Sequence, residues 1–244
     1  MSLHVIALVR NEMHRFFPSA LASWTSFADE VHVLDDSSDD GSYEFARDFG
    51  VHVVRREEEP MWGREASARE ELLRLGWAEA RVDDYIFVLD ADMTPARDPK
   101  VLLEAGRDGV LFGLYDLWRE DSDGRLWYRE DEMWRGHLFP RIWMIRKRAS
   151  LRFDEFSFGS RGMHVGHFPR NLDFDTLTYA PEDFSLLHHA YVNEEVRAAK
   201  YEDYAKVASD LHESERIHAR SIMDPHPRLI ELPFEPELRL RCES

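Results

Sequence analysis

An apolar run at residues 85–89 ends abruptly in two carboxylates, Asp90 and Asp92, which are separated only by Ala91. A run of β-branched and aromatic residues without alternation is typical of a strand buried on both faces of a parallel sheet. Open α/β sheets bind ligands at the carboxyl ends of such strands. Two hard oxygen donors this close suit Mg²⁺ or Mn²⁺, with phosphate groups completing the coordination. Taken alone, however, such a pair more often ends a strand in a solvated turn.

A second predicted strand, at residues 31–34, also ends in acids. Asp35 and Asp36 lead into a turn rich in Ser, Asp and Gly, and a helical pattern follows at residues 43–49. Ser and Asp are good N-caps, and the amides of a helix start favour anionic or polar ligand groups. Asp35 and Asp36 alone could be turn formers and caps, which is the commoner role. Two acidic strand ends in one sheet nevertheless favour a ligand site at its edge.

The order of predicted elements is βαβαβ over residues 3–55, then a helix at about 64–80 and the acidic strand. This pattern builds a parallel sheet with right-handed crossovers and helices on both faces. We expect a strand at 110–115 to extend the sheet beside the acidic edge. A turn at 121–124 should close a hairpin. Residues 153–181, with Gly, Asn and Pro throughout, predict a long loop.

The chain has 244 residues and 43% hydrophobic content, enough for one sizeable domain. We expect residues 1–192 to form that domain, with residues 193–244 adding a helix and an extended tail packed on it. The net charge of −17 argues against a nucleic-acid backbone or an anionic membrane as main partner. Cys242 is the single cysteine and cannot form an internal disulfide, and the apolar run at residues 3–9 is too short to span a membrane. A cytoplasmic protein is therefore expected.

Three segments, residues 7–12, 31–41 and 89–92, resemble the family 2 glycosyltransferases in order and spacing. The resemblance implies their GT-A fold: α/β, with a mostly parallel mixed sheet flanked by helices, here with a C-terminal helical extension. In that family the first strand and its Asn-Glu turn hold the nucleotide base and ribose. The acidic turn helps to hold the nucleoside, and the Asp-x-Asp binds the metal on the diphosphate. The resemblance therefore assigns the metal, Mn²⁺ or Mg²⁺, to Asp90 and Asp92. It assigns nucleotide contacts to Val9, Arg10, Asn11, Glu12, Asp36, Asp90 and Ala91.

Residues 186–191 resemble the Leu-His-Tyr-Gly-Tyr segment of small bacterial members, in which the His commonly completes the metal shell. His188 occupies the matching place, whereas His189 stands where Tyr is usual, so either imidazole is a candidate ligand. Without the resemblance, a His in such a loop is more often structural. Arg64 and Arg69, on the helix before the acidic strand, are candidates for neutralising phosphate or nucleotide oxygens, although helix arginines are usually solvated.

An inverting transfer also needs a base that removes the proton of the acceptor hydroxyl from the opposite side of the sugar ring. Asp131 and Glu132 are the first candidates, flanked by Trp127 and Trp134, on whose rings a sugar could stack. Asp131 leads because related small members carry an Asp after a Tyr-Arg pair. A solvated acidic turn beside two core tryptophans is an equally good interpretation. His164 is a further candidate, in a place where relatives often have His-Glu and this chain has His-Val.

Together these residues predict a metal-dependent, inverting glycosyltransferase that uses a nucleotide-sugar donor, most simply a UDP-sugar. A sugar nucleotidyltransferase fits less well, because residues 9–12 do not form a Gly-rich loop. A nucleotide-sugar-binding protein without turnover is an alternative from another class, and a glycoside hydrolase would need a further acid pair. The acceptor stays open between a glycan, a lipid-linked sugar, a protein side chain and a modified nucleobase. The acidic composition disfavours the nucleobase unless the basic residues 146–148 contact nucleic acid.

Overall fold

The computed structural model describes residues 1–56, 65–150, 172–206 and 213–241. The strands are β1 (Leu3–Val9), β2 (Glu30–Asp35), β3 (His52–Arg55), β4 (Tyr85–Asp90), β5 (Met93–Pro95), β6 (Gly109–Phe112), β7 (Leu114–Glu120), β8 (Leu126–Arg129), β9 (Arg141–Arg146), β10 (Leu177–Tyr179), β11 (Leu186–His188) and β12 (Leu229–Glu231). The α-helices are α1 (Phe17–Phe27), α2 (Ser42–Phe49), α3 (Glu65–Glu79), α4 (Glu194–Lys206) and α5 (Glu213–Ser221). Short 3₁₀ helices lie at Pro99–Ala105, Gly136–Leu138, Phe174–Thr176 and Glu182–Phe184.

The larger sheet has the strand order β10-β6-β9-β4-β1-β2-β3. Within it β9 runs antiparallel to both neighbours, and the other described pairings are parallel. The predicted βαβαβ start is therefore confirmed. Because Leu8 pairs with Asp90 and Val9 pairs with Asp35, both acidic strand ends reach the same edge of the sheet.

The central strands are buried on both faces, which explains why their hydrophobic pattern does not alternate. One core cluster holds Val5 and Phe87 together with Trp24 of α1, and the cluster on the other face packs Ile6 against Leu72 of α3. Helix α3 approaches the sheet so closely that a Cβ on Gly76 would lie 2.7 Å from Cγ2 of Ile6. Any larger residue at that position would push the helix away from β1.

A smaller sheet has the order β12-β8-β7-β11-β5. The single strand predicted at 110–115 is divided between the two sheets: β6 extends the large sheet next to β9, and after Gly113 the chain continues as β7 in the smaller sheet. A Cβ on Gly113 would lie 3.0 Å from the Ser185 hydroxyl and 3.1 Å from the His137 carbonyl oxygen. The close approach at this crossing therefore favours glycine, because any Cβ would crowd both groups. The predicted hairpin is confirmed as β7 and β8.

The C-terminal part differs in detail from the sequence prediction. The predicted loop at 153–181 lies outside the described residues up to residue 171, and its end contains β10, which pairs with β6. Beyond α4 a second helix, α5, precedes a tail that contributes β12 to the smaller sheet and Leu240 to the main core cluster. Cys242 lies outside the described residues. Across the described ranges, no helix has the length and apolar content that crossing a bilayer requires.

Candidate functional site

The two sheets meet where β4 ends and β5 begins. Asp92 lies in this connection, and its carbonyl oxygen accepts a 2.8 Å hydrogen bond from the backbone N–H of His189. Strand β11 lies between β5 and β7, so that His188 pairs with Met93 on one side and with Asp116 on the other. The smaller sheet therefore brings Asp92, His188 and Asp116 to one place at the acidic edge of the larger sheet.

His188 lies between two carboxylates. Its Nδ1 is 2.7 Å from Oδ1 of Asp116, and its Nε2 is 3.4 Å from Oδ2 of Asp92. Burial lowers the pKa of His188, but the two carboxylates outweigh burial and raise this pKa to about 9. The imidazole is therefore protonated at neutral pH and bridges the two acids.

The two carboxylate oxygens of Asp92 have different surroundings. The ammonium of Lys200, on α4, lies 3.1 Å from Oδ2 of Asp92. Oδ1 of Asp92 is buried, and no hydrogen-bond partner for it occurs among the described residues. Burial raises the pKa of Asp92, but Lys200 and His188 outweigh burial and hold it well below its usual range. The carboxylate is ionised and keeps one oxygen available for a ligand.

A second ion-pair chain ties α4 to the turn after β1. Arg15 lies 3.2 Å from Oε1 of Glu12 and 2.8 Å from Oδ2 of Asp203. Burial raises the pKa of Glu12 to about 7, against the lowering effect of Arg15. The predicted nucleotide-contacting residue Glu12 thus lies largely buried beside Arg15, close to the Asp92–Lys200 pair.

The turn after β1 is held by the turn after β2. Asn11 adopts a left-handed backbone conformation with φ of 51°, which Asn tolerates better than most residues. Its side-chain amide donates to Oδ1 of Asp39 at 2.8 Å, and its side-chain oxygen accepts from the Asp39 backbone N–H at 3.0 Å. Its own backbone N–H donates to the Ser38 hydroxyl at 3.0 Å. The two predicted nucleotide-binding segments are therefore adjacent and fixed to each other.

Asp36 and Asp90 have arginine partners of their own. Oδ1 of buried Asp36 lies 2.5 Å from the Arg56 guanidinium, with Arg10 at 3.5 Å from its other oxygen. Asp90 lies 2.7 Å from Arg69, which the sequence analysis assigned to phosphate or nucleotide oxygens. The two acids of the Asp-x-Asp segment thus pair with different cations, and sequence reasoning identified neither the Arg56–Asp36 nor the Arg69–Asp90 pair.

The predicted base Asp131 makes structural contacts. Its Oδ1 accepts hydrogen bonds from the backbone N–H groups of Met133 and Trp134 at 2.9 and 3.2 Å. Its Oδ2 accepts from Arg129 at 2.6 Å. Burial raises the pKa of Asp131, but these backbone and guanidinium donors lower it overall. The contacts favour the alternative of an acidic turn for Asp131.

The other predicted residues of this region have different surroundings. Trp134 is only 1% exposed and packs in an aromatic cluster against Trp118, so its ring offers no face to a sugar. Trp127 is half-buried, with the Arg119 guanidinium 4.6 Å from its ring centroid. Glu132 is exposed. His164 and Arg64 lie outside the described residues.

The donor set around Asp92 fits a divalent metal. The described residues contain no ready cluster of three or more His, Cys, Asp or Glu side chains around one point. They do provide Nε2 of His188 and the Asp92 carboxylate, whose Oδ2 lies 3.4 Å from that nitrogen and whose Oδ1 has no partner among these residues. Neighbouring donors on one ion with bonds of about 2.1 Å are roughly 3 Å apart. A metal-binding His usually donates its other N–H to a carboxylate, as His188 can to Asp116.

The glycosyl transferase family 2 model matches residues 5–169, more than half of the chain. The chain therefore belongs to glycosyl transferase family 2. Membership and the observed sheet order confirm the predicted family, the GT-A class of mixed α/β fold and the enzyme class, glycosyltransferase. No curated protein matches the chain.

Similar solved structures cover only part of this molecule. One is glucosyl-3-phosphoglycerate synthase from Mycobacterium tuberculosis in complex with Mn²⁺, UDP and glucosyl-3-phosphoglycerate, with 20% identity over 47% of this chain and 44% of that chain and a TM-score of 0.33. Another, described as a mycobacterial protein, has 25% identity over 48% of this chain and 41% of that chain and a TM-score of 0.34. The match thus spans less than half the length of either solved chain.

Proposed function

We propose that this chain transfers a sugar from a nucleotide-sugar donor to an acceptor hydroxyl, with a divalent metal, Mn²⁺ or Mg²⁺, bound at Asp92 and His188. UDP-sugars are the favoured donors. The observation that carries the proposal is the Asp92 carboxylate, whose buried Oδ1 has no hydrogen-bond partner among the described residues and whose Oδ2 lies 3.4 Å from Nε2 of an imidazole held at its other nitrogen by Asp116. Such an arrangement has a clear use in binding a cation and offers little to fold stability alone.

The turns after β1 and β2 provide the nucleoside side of the site. Arg10, Asn11 and Asp36 occupy the positions that the family resemblance assigns to base and ribose. The mutual hydrogen bonds of Asn11 and Asp39 fix the path of both turns before a ligand arrives. A preorganised turn lowers the conformational entropy that binding would otherwise cost.

Positive charge at Asp92 would stabilise the departing diphosphate. A divalent ion there would supply Lewis-acid stabilisation of the negative charge that develops on the departing diphosphate. Lys200 adds a buried ammonium beside Asp92, where it can offset further charge on phosphate oxygens. Because Lys200 pairs with the same carboxylate that would bind the ion, its ammonium must move when both are present.

The inverting course is also part of the proposal and requires a base across the sugar ring from the leaving group. Among the sequence candidates, Asp131 would first have to leave its contacts with Arg129 and two backbone amides. Glu132 is exposed and carries no such requirement. His164 remains a candidate from the sequence, since it lies outside the described residues.

Nucleoside diphosphate release from UDP-, GDP- and dTDP-sugars, with Mn²⁺ or Mg²⁺, tests the proposal when the parent chain is compared with Asp92→Ala. Asp123→Ala is the matched control, because Asp123 lies exposed in the β7–β8 turn. We expect metal-dependent turnover of one donor, retained in the control and lost in Asp92→Ala. Metal-dependent donor binding without turnover, with glycan, lipid-linked, protein and nucleic-acid acceptors supplied, would instead support a non-catalytic nucleotide-sugar-binding protein.

A further inference from the structure

Asp116 is a buried carboxylate that neither the sequence motifs nor the metal assignment uses. It lies on β7 directly opposite His188 of β11 in the parallel register. Its neighbours Tyr115 and Leu117 point to the opposite face of the strand and pack in a hydrophobic cluster with Leu187. Alternation along both strands therefore aims Asp116 and His188 at the same face of the small sheet, the face that carries Asp92.

The contact between these two side chains fixes the imidazole. The 2.7 Å distance between Nδ1 of His188 and Oδ1 of Asp116 is that of a charge-assisted hydrogen bond. Both side chains are nearly buried, with 11% and 12% of their surfaces exposed. The Tyr191 ring packs edge-on against the imidazole at a centroid distance of 5.1 Å. With Nδ1 donating to Asp116, only Nε2 can face Asp92.

The adjacent histidine provides an internal contrast. His189 is also buried, but its Nε2 is without a hydrogen-bond partner anywhere in the described ranges. Its ring packs against Phe16 at a centroid distance of 5.6 Å. Of two consecutive imidazoles, one is oriented by a carboxylate towards Asp92 and the other lies in an apolar contact.

We propose that Asp116 is a positioning residue, which holds His188 with Nδ1 protonated so that Nε2, and not His189, binds the divalent metal. The inference rests on the proposed function. Asp116 itself contacts neither the ion nor the sugar; it selects the tautomer and the ring orientation. Carboxylates in this position are known to raise the basicity of the ligating nitrogen, and losing one typically weakens metal affinity about 10- to 100-fold.

Mn²⁺ affinity, measured by electron paramagnetic resonance of free Mn²⁺ with UDP present, tests the inference without relying on turnover. We expect Asp116→Asn to weaken Mn²⁺ binding about 10- to 100-fold. The matched control Asp123→Asn should bind as the parent does. A positioning residue acts through its partner, so adding Asp116→Asn to His188→Gln should cause no further loss.

The outcomes separate this inference from the proposed function. Undiminished affinity in Asp116→Asn, or the same loss with and without His188→Gln, would overturn the positioning role while leaving the Asp92 site intact. A parent chain that binds no Mn²⁺ would overturn the metal part of the proposed function, and the inference with it. Should Asp116→Asn not fold, ¹⁵N NMR of the Mg²⁺-loaded parent decides the question: a protonated Nδ1 on His188 supports the inference, and a protonated Nε2 overturns it.

Discussion

A cluster of polar side chains lies at each end of the parallel strands of the large sheet, and the two clusters are built in opposite ways. At the amino edge, His4, His32 and His52 stand on β1, β2 and β3, with successive ring nitrogens 3.1 Å apart at both contacts. Asp84 closes the row 3.5 Å from Nε2 of His4. At the carboxyl edge, Asp92 keeps a buried oxygen for which the described residues offer no hydrogen-bond donor.

The amino-edge row needs no ligand. When the His4 proton is on Nε2, the side facing Asp84, Nδ1 of His4 can accept from Nε2 of His32, and Nδ1 of His32 can accept from His52. Each contact within the row then has one donor and one acceptor. The carboxyl edge instead concentrates charge on Asp92, His188 and Lys200. The first cluster thus pairs its polar groups within the fold, whereas the second is the place where we propose that a cation binds.

The largest effect should come from replacing Asp92 by asparagine, with the same replacement of Asp84 as the comparison. Asp92→Asn removes the charge that the metal needs, so we expect transferase activity to fall about 10³-fold. Asp84→Asn alters only the amino edge and should leave the activity per folded molecule unchanged. Initial rates of nucleoside diphosphate release at matched folded concentration measure both. Equal losses in the two variants would contradict the division between the edges.

Acid should destabilise the molecule through the amino edge. Burial and the neighbouring imidazoles lower the pKa of His32 to about 4, whereas an unfolded His titrates near 6.5. Below pH 6.5 His32 therefore binds a proton in the unfolded chain but not in the folded chain. The free energy of unfolding falls as the pH drops towards 4. The total loss is about 3 kcal/mol.

Urea unfolding between pH 7 and pH 4 measures this loss. His32→Gln should remove most of the His32 contribution, while His226→Gln, at an exposed position, should keep the slope of the parent. A His32→Gln variant whose stability depends on pH as strongly as that of the parent would contradict the lowered pKa of His32.

Glu12 should have the reverse pH dependence. Its folded pKa of about 7 lies above the usual 4.5, so an unfolded Glu loses its proton at lower pH than the folded one. The stability that neutral Glu12 provides is complete below pH 4.5 and is lost as the pH rises through 7. Glu12→Gln should therefore stabilise the fold by about 2 kcal/mol at pH 8 and by little at pH 5. The exposed Glu79→Gln is the control, and a pH-independent difference in the unfolding midpoint of Glu12→Gln would contradict the expectation.

The smallest effect concerns the cation already on Asp92. Lys200→Gln removes an ammonium 3.1 Å from the proposed metal-binding carboxylate, so Mn²⁺ affinity should rise about tenfold. Lys206→Gln, which affects an exposed pair with Asp203 on the same helix, should not change it. Calorimetric titration of both variants measures the difference. Weaker binding in Lys200→Gln would mean that the lysine supports the metal site and does not compete with it.

Much of the fold and the location of the site follow from local patterns. The acidic ends of β2 and β4 could be predicted because an apolar run that stops at carboxylates is visible within ten residues. The change of sheets at Gly113 could not be predicted, because strand propensity continues through residues 110–117. The reason for glycine at this position is its close contact with Ser185 and His137, which only the structure shows.

The partners of the site residues were beyond sequence reasoning for the same reason. Asp116 meets His188 only through the register of β7 and β11, which are distant in sequence. Lys200 meets Asp92 only because α4 returns to the sheet edge. In the sequence Asp116 is one acid in a predicted hairpin strand. No motif or spacing connects it with His188. Asp131 does follow a family pattern, but its carboxylate accepts hydrogen bonds from two backbone N–H groups of its own turn.

Anomalous diffraction from crystals grown with Mn²⁺ and UDP would test the central claim most directly. We predict one manganese peak in contact with the Asp92 carboxylate and Nε2 of His188, with the Lys200 ammonium moved from its position at Oδ2. A nucleotide-bound crystal in which Lys200 still lies on Asp92 and no manganese peak touches either residue would contradict it.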